Sequence, residues 1–109
     1  MAYTPKRFYI GQPGTTETTL YTAPTGKTVI LKDITLCNTT SVDATISLSI
    51  VPSGSTADNT NRILAGLKVT ANSIVDITLS QVMNEGDFIS ALQGTSGALT
   101  VAISGVEVG

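Results

Sequence analysis

The stretch Ala44-Thr45-Ile46-Ser47-Leu48-Ser49-Ile50-Val51 decides the fold class. Ala44, Ile46, Leu48 and Ile50 alternate with Thr45, Ser47 and Ser49. A period of two places the apolar side chains on one face of an extended strand and the hydroxyls on the other. On a helix the same residues would be spread around the circumference, with no apolar stripe. The alternation recurs in Val75, Ile77 and Leu79, offset by Asp76 and Thr78, and in Leu99, Val101 and Ile103, offset by Thr100 and Ala102.

Outward from these three segments, the chain reads as short strands divided by turns. Ten Ile, nine Val and eighteen Thr supply β-branched side chains, which suit a pleated surface. Leu20–Thr22, Ile63–Val69 and Phe88–Gln93 are further strands, with Gly66 marking a bulge or a close approach. Thr28–Cys37 is longer and less regular. In strict alternation Ile30, Ile34 and Leu36 share a face with Lys32, and Val29, Leu31 and Cys37 share the other with Asp33 and Thr35. Apolar residues on both faces imply cover on both sides. Val106 and Val108 fall out of step with Val101 and Ile103, which predicts a β-bulge at Ser104-Gly105.

The connections carry turn chemistry. Ala23-Pro24-Thr25-Gly26, Asn84-Glu85-Gly86-Asp87 and Gly94-Thr95-Ser96-Gly97 place Pro and Gly where turns use them. Pro52 to Arg62 is small and polar throughout, a surface loop. About eight strands with turns every 8–12 residues predict an all-β, single-domain antiparallel β-sandwich, jelly-roll-like, with an extended N-terminal arm. The expected division is residues 1–17 as arm and 18–109 as sandwich.

Composition narrows the function. The 109 residues hold 6 Lys+Arg and 8 Asp+Glu, and only 13% are charged. There is no His and one Cys, so Ser-His and Cys-His nucleophiles, an internal disulfide and a structural zinc site are all excluded within the chain. Gly26-Lys27-Thr28 lacks the earlier Gly of a phosphate loop and leads into a strand. The oxygen-rich stretches Asp58–Arg62 and Asn84–Asp87 lack calcium-loop spacing. No carboxylate pair is marked for glycoside hydrolysis, and with Trp absent a sugar-stacking lectin surface is disfavoured. The expectations are no enzyme activity, no catalytic residue, no cofactor and no metal. The acidic balance argues against nucleic acid, and no apolar run approaches a membrane span. No secretory signal opens the sequence, so synthesis in the cytoplasm without export is expected.

The N-terminal segment differs from the rest. Tyr3, Phe8 and Tyr9 are three of five aromatics, and Lys6-Arg7 are two of six cations. Aromatics and Arg dominate interface energetics. Tyr3, Lys6, Arg7, Phe8 and Tyr9 are therefore the candidate interface residues, gripping a neighbouring subunit or a larger assembly. The competing reading is that Phe8-Tyr9-Ile10 adds a strand to the domain's own sheet. If the arm reading holds, deleting residues 2 to 10 leaves the domain folded and abolishes binding to that assembly. Low charge and hydroxyl-bearing outer faces also favour packing against copies of the same chain.

Several segments together carry a resemblance. They are Leu20-Tyr21-Thr22-Ala23-Pro24-Thr25-Gly26-Lys27-Thr28, Ile34-Thr35-Leu36-Cys37-Asn38-Thr39, Ala44 to Val51, Met83-Asn84-Glu85-Gly86-Asp87 and Val101 to Val108. In these the chain resembles a family of small virion-associated β-sandwich proteins of tailed bacteriophages and prophages. The resemblance implies a structural role in the virion as a homo-oligomer, a trimer being favoured. The expected partner is the major capsid protein or another virion protein, with the chain decorating the capsid exterior. The alternative is a tail, collar or baseplate component, or a fibre-attachment or host-recognition module that presents the Pro52 to Arg62 loop.

Overall fold

The computed structural model describes residues 3–109. Eight strands make up the chain: β1 (Tyr3–Gly11), β2 (Thr18–Thr22), β3 (Thr28–Asn38), β4 (Ala44–Val51), β5 (Arg62–Val69), β6 (Ile74–Met83), β7 (Phe88–Gln93) and β8 (Leu99–Val108). They form two four-stranded sheets, ordered β1-β8-β3-β6 and β2-β7-β4-β5. Every neighbouring pair is antiparallel. The pairings β1 with β8, β2 with β7, β3 with β6 and β4 with β5 are nested, as if one long hairpin had been rolled up. That nesting is the jelly roll.

The core lies between the inner faces. Phe8, Val29, Leu31, Ile34, Leu36, Ile46, Leu48, Met83, Ile89, Leu99, Val101 and Ile103 are buried there. In β4 the alternation runs as the sequence dictates, with Ala44, Ile46 and Leu48 buried and Thr45 exposed. The β4–β5 pair slips register so that Ala65 and Gly66 together face Ser47. Gly66 sits at φ +64°, a conformation that costs glycine nothing, and its N–H donates to Ser47 Oγ over 3.0 Å. The expected bulge is at this glycine.

Two expectations are corrected by the first sheet. β3 does not alternate strictly. Leu31 pairs with Gly105 and Asp33 with Ser104, so Lys32 is an extra residue. The extra residue reverses the phase, because side chains alternate with a period of two. Val29, Leu31, Ile34 and Leu36 therefore all face inward and are fully buried. Apolar cover is needed on one face of β3, with Ile30 and Cys37 half-buried on the other. The second correction concerns β8, which carries no bulge at Ser104-Gly105. The slips lie in its neighbours, at Lys32 in β3 and at Phe8 in β1. β8 keeps its alternation, so Val106 and Val108 face outward while Gly105 faces the core.

The N-terminal segment is also corrected. Tyr3–Gly11 pairs with β8 from Tyr3↔Val108 to Gly11↔Val101 and is an edge strand of the sandwich. Phe8 is 6% exposed, and its ring lies 4.7 Å from that of Tyr21 on β2. Burying this ring between the sheets draws the segment into the domain. Within the expected arm 1–17, Met1 and Ala2 lie outside the described residues.

Candidate interaction surface

Strand pairing sorts the five candidate side chains by face. Paired residues share a face, so Arg7, Ser104 and Asp33 point away from the core, as do Pro5, Val106, Ile30 and Val82 one row along. Tyr3, 68% exposed, pairs with Val108 at the end of the same face. Tyr3 and Arg7 are thus surface groups. Phe8 is committed to the core, and Tyr9 is half-buried against it. The structure does not bring the five together as one gripping patch.

Lys6 faces the mouth of the sandwich. Its Nζ lies 3.1 Å from Glu107 Oε2 and 5.9 Å from the centre of the Tyr21 ring. Tyr21 Oη donates to the same carboxylate oxygen over 3.1 Å. The Lys6 hydrogen bond holds the Glu107 carboxyl below its ordinary range, with the Tyr21 hydroxyl adding to the effect. The carboxylate in turn raises the Lys6 ammonium. Burial, reinforced by the Glu107 hydrogen bond, raises the Tyr21 phenol.

Where the slips at Phe8 in β1 and at Lys32 in β3 flank β8, the outer face opens into a shallow groove of about 490 Å³. Pro5, Arg7, Lys32, Ser104 and Val106 line it. Lys32 Nζ donates to Ser80 Oγ over 3.0 Å. Exposed apolar side chains are spread over the same face. Tyr3, Ile10, Ile74 and Val82 are 68%, 58%, 67% and 59% exposed, and all belong to the outer face of the β1-β8-β3-β6 sheet. Among the described residues the remaining exposed large apolar side chains are Val42, in a loop, and Ile63, on β5. Sequence reading missed Ile74, Val82 and Lys32. The signal for Lys32 was the broken phase of β3, and for Ile74 and Val82 their even positions, out of step with the inward Val75, Ile77 and Leu79.

The opposite sheet carries the Pro52 to Arg62 loop, which is internally organised. Asp58 Oδ1 accepts from the Thr60 N–H over 2.8 Å and from the Thr60 hydroxyl, and these bonds hold its carboxyl below the ordinary range. Arg62 opens β5 and pairs with Glu17 at 2.8 Å. Among the described residues no three His, Cys, Asp or Glu side chains gather at one point. Among the described residues no helix is long and apolar enough to cross a membrane.

No family model matches the chain, and no curated protein matches its sequence. Solved structures do share its fold. One comes from work showing that Bacillus endospore appendages form a novel family of disulfide-linked pili. It matches with a TM-score of 0.58 and 10% identity over 97% of this chain and 87% of that one. Another is a chain of infectious bursal disease virus, Gx strain, with a TM-score of 0.52 and 12% identity over 98% of this chain. This chain spans about a third of that viral chain, 32% of its length. At these identities the likeness is one of fold.

Proposed function

We propose that this chain is a non-enzymatic structural subunit of a multicopy assembly, with the outer face of the β1-β8-β3-β6 sheet as its contact surface. One observation carries the reading: four exposed large apolar side chains, Tyr3, Ile10, Ile74 and Val82, lie on that single face. Apolar area of this kind is costly in water and is recovered on contact. Arg7 and Lys32 sit among these groups and supply orientation. The fold likeness to a pilus protein and to a virus protein supports the same role.

In its finer form, the subunit is an accessory virion protein of a tailed bacteriophage, a homo-oligomer bound to the capsid exterior, with the trimer as the favoured order. The resemblance in the turn and strand segments supports this placement. A tail, collar or baseplate position is the second reading, favoured by the ordered, exposed Pro52 to Arg62 loop. Copy number separates the two: hundreds per particle for decoration, a few to a few dozen for a tail part.

The test is particle incorporation. Purified particles from the encoding strain should carry the chain at fixed stoichiometry. The Tyr3→Ser/Arg7→Glu double variant should fold and be lost from them. Particles free of the chain, or full incorporation of the double variant, overturn the reading.

A further inference from the structure

A sandwich of two open sheets has four edges, and unpaired edges invite pairing with another chain. Three of them here carry devices that discourage it. β1 has Pro5, Lys6, Arg7 and the slip at Phe8. β2 is five residues long and slips at Leu20. β5 has Arg62, Lys68, Gly66 and two slips. β6 differs. It runs ten residues from Ile74 to Met83 without Pro or Gly, and Asp76 is its single charge. Its register with β3 slips opposite Lys32, yet its own alternation is unbroken. Val75, Ile77 and Leu79 face inward against the core but stay half-buried, while Thr78, Ser80 and Val82 face outward and are exposed.

We infer that β6 pairs antiparallel with β6 of a second copy about a two-fold axis at Thr78, joining two sheets into one of eight strands. The inference rests on the reading of the chain as an assembly subunit. Its ground is that β6 is self-complementary about Thr78. With Thr78 facing Thr78, position 74 faces position 82, so each exposed Ile74 meets the exposed Val82 of the second copy. Position 76 faces position 80. Asp76, fixed by the Thr35 hydroxyl at 2.8 Å, then meets a Ser80 whose hydroxyl already holds the Lys32 ammonium at 3.0 Å. An acid thus meets a base on each side of the axis, and every favourable contact occurs twice. On the inner face Ile77 meets Leu79, covering side chains the isolated domain leaves half-open. Centring the axis on Asp76 instead would oppose two carboxylates, which is unfavourable.

Disulfide trapping in the full chain tests the register. In a Cys37→Ser background, Thr78→Cys places two thiols across the axis, where facing strand positions are about 4.5–5.5 Å apart, within disulfide reach. Mild oxidation should convert it to a dimer of twice the 11.2 kDa chain mass. Ile74→Cys alone should stay unlinked, and a mixture of Ile74→Cys with Val82→Cys should give the mixed dimer. Asp76→Lys should weaken dimerisation at least about tenfold, because the reversed charge acts at two sites, and Asp76→Lys/Lys32→Glu should restore it. Equal trapping of Ile74→Cys and Thr78→Cys, or no trapping at Thr78, overturns the inference. If trapping fails while the wild-type chain still enters particles, the β6 contact alone falls. If the chain is also absent from particles, the subunit reading falls with it.

Discussion

Tyr21 Oη and Glu107 Oε2 lie 3.1 Å apart and tie β2 of one sheet to β8 of the other. Lys6 reaches the same oxygen from β1, so three strands meet at one carboxylate. The Glu107 carboxyl is held below its ordinary value, so the contribution is present above the unfolded carboxylate range, about 4.3, and is lost as pH falls through the lower folded value. The raised Lys6 and Tyr21 groups act oppositely, losing their contribution only as pH rises past about 10. Denaturant titrations should show a stability plateau near neutrality and a fall below about pH 4. Glu107→Gln should flatten the acid limb. An unchanged acid limb in this variant would contradict the assignment.

Phe8 couples the N-terminal strand to the core. Phe8→Ala should cost about 3 kcal/mol in urea unfolding, at the low end for a buried ring because the site lies at a sheet edge. Removal of residues 2 to 10 should destabilise the domain, in place of the harmless trimming expected of a free arm. Near-wild-type stability in the truncated chain would restore the arm reading.

Gly105 is required by close approach. A Cβ there would collide with the Ile30 carbonyl oxygen and lie 2.9 Å from Phe8 Cε2. Backbone cannot yield as a flexible side chain does. Gly105→Ala should cost about 1–3 kcal/mol, whereas Gly54→Ala meets no neighbour and pays only for its left-handed φ of +82°. The comparison by thermal unfolding checks this, and a smaller loss at Gly105 would contradict it.

Gln93 is a fully buried amide that latches the Pro13 loop to the start of β8. Its Nε2 donates to the Pro13 carbonyl at 2.6 Å, and its Oε1 accepts from the Leu99 N–H at 2.8 Å. Gln93→Leu fills the space but strands both backbone groups, at about 1–3 kcal/mol for each. The Leu99 amide should then exchange with solvent markedly faster. Unchanged exchange would show that the latch is dispensable.

Much of the fold is written in short-range pattern. Ala44–Val51 and Phe88–Gln93 appear with the bounds that alternation and turn residues set. The misread segments share one cause. Strict alternation assumes one residue per rung, and the slips at Phe8 and Lys32 break that assumption. Slips depend on neighbouring strands, which local sequence does not contain. The same holds for the surface. Tyr3 and Arg7 were visible as interface residue types, but Ile74 and Val82 join them only once β6 is laid beside β3. Phe8 was legible as an important aromatic, yet only the tertiary fold shows that its partner is Tyr21 of the same chain.

The β1-β8-β3-β6 sheet is the face proposed to meet a neighbour in an assembly. A density map of the purified particle that resolves this jelly roll tests it most directly. Tyr3, Arg7 and Val82 should be buried against an adjacent subunit. A map showing that face open to solvent, with the opposite sheet making every contact, would contradict it.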